Sequence, residues 1–442
     1  MKYLSVLFFE WKHFVRNPFK VIAWVLFVAA AIYGLHNGAS LFNKQQKEIE
    51  AIYKKVKEQH EKNIDYYQKG IKSPPDRPWV DNTTPFWAIW NLPTYHIKQP
   101  ETTMVYSIGQ AEQFGFYKQI SVWASPYDAD MAEEIANPER LQVGTLDFSF
   151  VILYLTPILL LLFVYNIKST ESEQGFLHLV QVQWGANIQA WLIARIVFYL
   201  LILLLTLTLL IVYGATLTKA ILFAPEKVFQ TLLICFLYST GWLILYTIII
   251  PYGTTLVSNT LQMIGLWLLF AFIIPSIVLQ NISINKPVNL MLTFIDAQRD
   301  GREKIFAQAD SVIDKQLFTL YPQIENSPMA KDSISRILAR NFSASALVNH
   351  QLKQIIEEIN NENESKNSII SSTYWFNPVT FFQNTLNHVS GTHYANYQHY
   401  RHQIQQLIDV RVATLTNDIW FNATVDLKKY QQYTQQFQTL PN

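Results

Sequence analysis

The sequence is poor in cysteine and in charge. Cys235 is the only cysteine among 442 residues and lies in an apolar run, so the chain cannot form an internal disulfide or a multi-cysteine zinc site. Charged residues make up 15% of the chain and the formal net charge is +1. Nucleic-acid binding favours a clustered basic surface, so this balance argues against a nucleic-acid partner.

A phosphate-binding loop is also missing, because the pattern G-x-x-x-x-G-K-[ST] occurs nowhere in the sequence. The chain therefore does not bind ATP in that manner. No cofactor is predicted for the chain itself. If ATP drives the protein, a separate polypeptide must bind and hydrolyse it.

Hydrophobic residues make up 50% of the chain and are concentrated in blocks. Five blocks are long enough to cross a bilayer as helices. Their few ionisable residues sit near the ends, and Arg195 is expected to snorkel to the membrane surface. Ion-coupled transporters and intramembrane proteases keep such groups within the membrane, so both classes are disfavoured. The predicted spans are residues 21–38, 148–166, 191–213, 228–250 and 261–279.

Residues 1–17 form an amphipathic segment that ends at Pro18. The pattern predicts a helix in the membrane interface; the alternative is a frayed terminus. Basic residues precede the first span and no small-residue cleavage site follows it, which predicts an uncleaved anchor with a cytoplasmic N-terminus. The residues on the apolar face are Leu4, Leu7, Phe8, Trp11 and Val15, and the basic residues are Lys2, Lys12, Arg16 and Lys20.

Two polar segments, residues 41–145 and 281–442, contain no run that could span a membrane. Alternation of the loops places both outside the cytoplasm. Helices are expected at 43–69, 300–320 and 333–360, and residues 73–93 are expected to be irregular. The predicted fold class is an all-α polytopic membrane protein with two large, mainly helical extracytoplasmic domains.

Residues 167–190 are polar and connect the second and third spans on the cytoplasmic side. Thr170 and Glu173 have the spacing of a capping box, which predicts a short helix that begins near Glu171. Gly175 would lie inside this helix, where glycine is costly unless a partner approaches closely. Phe176, with Leu179 and Val180, would form an apolar face. The segment is either a docking surface or an ordinary interfacial loop.

Four histidines lie in the last segment: His388, His393, His399 and His402. His399 and His402 can share a helical face, so a metal site is conceivable. Cysteine is absent there and carboxylates are sparse, so solvated or packed histidines are the preferred interpretation and no metal is predicted.

Scattered residues along the chain resemble the membrane subunits of type-2 ABC transporters. More narrowly, they resemble a bacterial branch that is defined by a domain of unknown function and has large outside domains after spans one and five. The strongest match is Ser169, Glu171, Glu173, Gly175 and Leu177. The others are Glu10, Trp11, Arg16, Asn17 and Pro18; Asn137, Pro138, Gly144 and Asp147; Ser258, Asn259 and Trp267; and Asn377, Pro378, Gly391, Thr392, His399 and Arg401.

The resemblance implies roles for two segments. The first helix, with Glu10, Trp11 and Arg16, would be an interfacial elbow. The helix after the second span would be the coupling helix that docks on the ATPase through Ser169, Glu171, Glu173, Gly175, Phe176 and Leu177. An acidic first turn and an apolar face agree with such docking.

The resemblance also implies a sixth span, which would return the C-terminus to the cytoplasm. No such span occurs before Asn442. We expect the sequence to be truncated, because its polar ending has no membrane logic of its own.

The leading hypothesis is therefore a non-catalytic permease subunit in the bacterial cytoplasmic (inner) membrane, for export or extracytoplasmic substrate handling. Its partners would be a cytosolic ABC ATPase that binds ATP, a second identical or related permease, the lipid bilayer and an extracytoplasmic protein. A second hypothesis is an ATP-driven scaffold or mechanotransmitter that transports no solute. A membrane enzyme that uses the histidines is the third.

Overall fold

A computed structural model describes residues 2–131, 146–184, 188–252, 255–285 and 290–437. The expectation of five spans is confirmed, because five helices in these ranges are long and apolar enough to cross a membrane. They are Pro18–Gln68, Phe148–Glu173, Ile188–Leu217, Pro225–Ile249 and Leu256–Asn285. We call them spans 1 to 5, and we use the name span 2 only for the apolar part of its helix, residues 148–164.

Span 1 extends far beyond its apolar part. The N-terminal helix Lys2–Arg16 ends before Asn17, whose side-chain oxygen accepts a hydrogen bond from the Lys20 amide, and the next helix begins at Pro18. The predicted end of the first helix before Pro18 is confirmed. Pro18 lies in the first turn of the next helix, where proline is well tolerated. Pro18–Gln68 then continues without interruption, about 75 Å at 1.5 Å per residue. The helix expected at 43–69 is thus the second half of span 1.

Spans 2 and 5 each contain a π-helical segment that ends two residues before a proline. In span 2, Val151–Leu155 precedes Pro157; in span 5, Leu269–Ile273 precedes Pro275. Proline lacks an amide proton, so the carbonyl four residues earlier loses its partner. The Tyr238 hydroxyl of span 4 donates to that carbonyl, the oxygen of Leu153, at 2.5 Å. Span 2 runs through helices Phe148–Phe150 and Thr156–Val164, and span 5 through Leu256–Leu268 and Ile274–Asn285.

Short helices connect the spans. Between spans 2 and 3 lie Ser169–Glu173 and Leu177–Trp184, and between spans 3 and 4 lies Ala220–Phe223. The remaining α-helices are Pro85–Trp90, Leu290–Phe306, Asp310–Leu320, Pro328–Lys331, Ser333–Ser372, Pro378–Val389, Tyr394–Trp420 and Leu427–Gln436. Two 3₁₀ helices, Thr102–Val105 and Pro322–Ile324, and two paired antiparallel strands, Tyr95–Ile97 and Tyr117–Gln119, complete the described elements.

The two polar segments share one hydrophobic core, which differs from the expectation of two separate domains. Ile89 and Val122 of the first segment pack in the same buried cluster as Ile404 and Trp420 of the second. Arg411, which is buried, donates to the carbonyls of Ile89 and Leu92 and to the Thr94 hydroxyl. Its burial lowers the pKa of Arg411 to about 10. We call the unit made of residues 43–131 and 290–437 the polar domain.

The polar domain joins the spans through close backbone contacts and hydrogen bonds, and through one half-exposed ion pair at 2.9 Å between Lys227 of span 4 and Glu101. A Cβ on Gly38 of span 1 would lie 2.6 Å from Val105 of the polar domain, and one on Gly34 would lie 2.6 Å from the backbone of Asp147 and Phe148 at the start of span 2. The Tyr106 hydroxyl donates to the Ile211 carbonyl of span 3 at 2.8 Å. Glycine allows these backbones to touch, as is common where membrane helices pack. The backbones are therefore closely packed at this end of the bundle.

Candidate functional site at the opposite end of the spans

Buried charges gather at the end of the bundle that lies away from the polar domain. Glu10 of the N-terminal helix, Lys20 at the start of span 1 and Arg195 near the start of span 3 are all nearly inaccessible to solvent. Charged side chains are almost never fully buried unless they are paired. We call these three residues, with Glu171 and Tyr199, the charge cluster.

Arg195 is the centre of the charge cluster. Its guanidinium forms an ion pair with Glu10, and its Nη1 lies 3.3 Å from a carboxylate oxygen of Glu171 and 3.0 Å from the Ile167 carbonyl oxygen. It also lies over the Trp191 ring, 4.8 Å from the ring centroid. A planar guanidinium can hold several acceptors at once. Arg195 thus joins the N-terminal helix, span 3 and the segment after span 2.

Lys20 is the second cation of the charge cluster. Its ammonium donates to the Phe163 carbonyl at 2.7 Å and to the Tyr199 hydroxyl at 3.0 Å. The Tyr199 hydroxyl in turn donates to the second carboxylate oxygen of Glu10 at 3.0 Å. Two carboxylates thus oppose two cations, and hydrogen bonds satisfy most of their polar atoms. Such satisfaction is what makes buried charge tolerable.

The expectation that Arg195 snorkels to the membrane surface is wrong. Snorkelling places a charged head in water, whereas Arg195 is 5% exposed. Glu10 and Glu171 supply its counter-charge inside the protein. The chemistry of the charge cluster is electrostatic, since its groups neutralise one another and bind three chain segments together.

His13 lies beside the charge cluster on the N-terminal helix. Burial lowers its pKa; the carboxylates of Glu10 and Glu171 oppose this shift, while Lys20 and Arg195 add to it. The neutral form of this imidazole is therefore favoured in the folded protein.

The segment after span 2 contains two short helices instead of one capped helix. Ser169–Glu173 follows Lys168 without a side-chain cap, so the predicted capping box of Thr170 and Glu173 is wrong. Glu173 instead accepts a hydrogen bond from the Leu256 amide at 2.7 Å. Gly175 lies between the helices with φ +75°, a left-handed conformation that favours glycine, and a Cβ there would meet nothing within 4 Å. The turn between the two helices therefore explains Gly175. No other described part of the chain packs closely against it.

Three contacts attach this segment to the connection between spans 4 and 5. The Asn259 amide donates to the buried Ser169 hydroxyl at 2.5 Å. Lys168 donates through its ammonium to the Pro251 carbonyl at 2.7 Å, and Glu173 bonds to Leu256 as above. The segment is therefore fixed on two sides, by Arg195 and by the start of span 5.

The outer face of this segment is apolar. Phe176 is 48% exposed, Leu179 is 60% exposed and Val182 is 82% exposed, whereas Leu177 is half-buried. Glu171 and Glu173 direct hydrogen-bonding oxygens to their own chain. The surface available to a partner is thus the apolar face of Phe176, Leu179 and Val182, which we call the outer face.

The N-terminal helix has a similar division. Phe14 is buried against the spans, while Phe8, Trp11 and Val15 are exposed on the other side, together with Arg16. An apolar face that points away from the protein is typical of a helix in the membrane interface.

The remaining residues of the resemblance have structural contacts. Asn377 caps the helix that Pro378 begins, and Arg401 pairs with Asp130 at 2.7 Å. The side chain of Glu101 fills the space beside Gly391. Asn137, Pro138 and Gly144 lie outside the described residues.

The four histidines do not form a metal centre. Within the described ranges, no group of three or more His, Cys, Asp or Glu residues could hold a metal ion. His388 and His393 lie with ring centroids 6.1 Å apart, and His393 caps its helix by accepting from the Ala395 amide. His399 and His402 line a cleft between the helices Ser333–Ser372 and Tyr394–Trp420.

Sequence reasoning missed Lys20 and Tyr199 as members of the site and misjudged Arg195. The signal was available. Glu10, Lys20 and Arg195 each lie within an apolar helix face or at the end of an apolar run, where a charge requires a partner.

Comparison with known proteins gives one match. Residues 291–438, the second segment of the polar domain, match the model of a domain of unknown function, DUF3526. No curated protein and no solved structure matches the chain. The chain is thus a mainly α-helical protein with five helices that are long and apolar enough to cross a membrane, and its polar domain contains a region similar to DUF3526.

Proposed function

We propose that this chain is the membrane-spanning permease subunit of a type-2 ABC transporter, coupled to a separate cytosolic ATPase through the segment after span 2. The matched domain occurs in permease-like proteins of this kind, which supports the assignment. In this proposal the charge cluster faces the cytoplasm and the polar domain lies on the other side of the membrane.

The outer face is the observation that carries the proposal. Large apolar side chains stand exposed on a segment in which Ser169, Glu171 and Glu173 already bond within the chain. Such a face suits insertion into a hydrophobic groove of a partner. Glu171 would pass the resulting movement to Arg195 and from there to the N-terminal helix and span 3.

The test is co-purification of the full chain in mild detergent, with mass spectrometry of the proteins that accompany it. We expect a P-loop ATPase, and we expect the double variant Phe176→Ser with Leu179→Ser to lose it. The control, Leu222→Ser with Phe223→Ser, changes the same two residue types at more exposed positions at the opposite end of the bundle and should retain the ATPase. Absence of an ATPase, or equal recovery with both double variants, would refute the proposal.

A second function, ATP-driven movement of the polar domain without solute transport, is favoured by the continuous helix Pro18–Gln68. This helix passes from the spans into the polar domain, where Asn63 and Tyr67 contact Tyr430. It can therefore act as a lever. Cys235 is buried, so introduced cysteines could be labelled selectively, and ATP-dependent distance changes in the polar domain without solute flux would support this alternative.

A further inference from the structure

A polar cleft of about 550 Å³ opens between the helices Ser333–Ser372 and Tyr394–Trp420. Its volume falls in the range of small-molecule binding sites. It belongs to the polar domain and is remote from the charge cluster. The residues that line it are Glu357, Asn360, Asn361, Glu364, Ala395, Gln398, His399 and His402.

The lining of the cleft is acidic and rich in hydrogen-bonding groups. Two carboxylates, Glu357 and Glu364, stand on one wall, and none of the described lining residues is Lys or Arg. Glu364 is held by the Gln398 amide at 3.0 Å, and Asn360 accepts from the Tyr127 hydroxyl at 3.1 Å. Glu364 and Asn360 are thus held in place before a ligand arrives, which reduces the entropy cost of binding, while Glu357 is exposed.

The helix that forms this wall contains residues that oppose its own stability. Asn360, Asn361, Asn363 and Asn367 all lie within Ser333–Ser372. Asparagine is a poor helix former, because its side chain competes for backbone hydrogen bonds. The first two line the cleft, while the other two line a smaller pocket of about 200 Å³ beside it. Repeated use of a poor helix former along a concave surface indicates a constraint other than helix stability, so this surface is a candidate functional site.

We propose that this cleft binds organic amines, whose ammonium groups are neutralised by Glu357 or Glu364 and whose other polar groups bond to the amides. A bound metal ion fits less well. The described residues offer no set of three metal ligands, and a cleft of this volume is far larger than an ion requires. The proposal does not depend on the function proposed above.

Isothermal titration calorimetry of the full chain in detergent tests the proposal, with spermidine, glucosamine and glucose as probes. Glucosamine and glucose have the same ring, and only the first carries an ammonium group. We expect spermidine and glucosamine to bind and glucose to bind at least about tenfold more weakly, since charge-assisted hydrogen bonds are the strong ones.

Variants then locate the site. Glu357→Gln with Glu364→Gln should weaken amine binding at least about tenfold. The control Glu303→Gln with Glu325→Gln makes the same change in net charge at exposed positions outside the cleft and should leave binding unchanged. Ala395→Phe should abolish binding by filling the cleft without any change in charge, and the unfolding temperature of each variant shows whether it is folded.

Several outcomes would overturn the proposal. These are no heat of binding with either amine, equal affinity for glucosamine and glucose, and equal loss with the cleft variant and its control. Tight binding of calcium or manganese that depends on Glu357 and Glu364, without amine binding, would replace it with a metal site.

Discussion

The two ends of the span bundle are held together by different physics. At the polar-domain end, Gly34 and Gly38 bring backbones into contact, and uncharged hydrogen bonds such as Tyr106 to Ile211 join the segments. At the other end, Arg195 and Lys20 hold Glu10 and Glu171 through buried charge. One end depends mainly on close backbone packing, with the half-exposed pair of Lys227 and Glu101 beside it, and the other depends on buried charge.

This difference indicates where the protein can change its arrangement. Close backbone packing tolerates little displacement, because dispersion contacts fall off steeply with distance. A charge cluster can exchange partners, provided that each charge keeps a counter-charge. The end with the charge cluster also carries the exposed outer face, so a partner's force would act where the contacts can be rearranged.

The largest effect is expected from Arg195→Met. Removal of this cation leaves Glu10 buried without its ion pair, which typically costs about 3–5 kcal/mol. The unfolding midpoint of the purified protein in detergent measures the loss. Arg299→Met is the control, because Arg299 pairs with Asp296 and Asp300 at the surface, where ion pairs contribute little to stability.

A double variant sharpens this result. Glu10→Gln combined with Arg195→Met removes both charges and should recover part of the stability that Arg195→Met loses. If the double variant is less stable than Arg195→Met alone, unpaired charge is not the cause, and lost packing against Trp191 would explain the effect instead.

Gly34→Val tests the opposite end. A Cβ at this position would lie 2.6 Å from the backbone atoms of Asp147 and Phe148, and overpacking of this kind costs about 1–3 kcal/mol. Gly241→Val is matched to it, since Gly241 is also within a span but has nothing within 4 Å of its Cβ position. Similar unfolding midpoints for the two variants would show that close backbone packing at Gly34 does not contribute to stability.

Tyr199→Phe probes the charge cluster more gently. The variant keeps the ring that packs against Phe163 but removes the hydroxyl that links Lys20 to Glu10. Hydrogen bonds to charged groups contribute about 1.5–3 kcal/mol, so the expected loss of stability lies at the lower end of this range while Arg195 remains. Tyr252→Phe, at a largely exposed tyrosine, is the control and should leave the unfolding midpoint unchanged.

Much of the membrane architecture follows from sequence periodicity and composition. The five apolar runs predict the five spans, and Pro18 predicts the end of the first helix, because these signals act locally. The capping box fails for a tertiary reason: Glu173 bonds to Leu256, which is distant in sequence. The prediction that Arg195 snorkels fails for the same reason, since its counter-charges come from Glu10 and Glu171 on other helices.

The organisation of the polar domain could not be read from the sequence either. Its two segments are separated by four spans, and periodicity says nothing about which apolar faces meet. The buried contacts of Arg411 with Ile89 and Leu92 belong to both segments at once. Continuity of span 1 was missed because the change from apolar to charged residues near Asn43 resembles a domain boundary, although both compositions favour helix.

The smallest expected effect concerns pH and separates the two ends again. Burial lowers the pKa of His13 beside the charge cluster, so the unfolded chain binds more protons than the folded one near its ordinary pKa of about 6.5. The stability from neutral His13 is therefore present above that value and is lost as the pH falls below it. Unfolding midpoints between pH 8 and pH 5.5 should decrease in the wild type and decrease less in His13→Asn. An equal decrease in both would assign the acid sensitivity to groups other than His13.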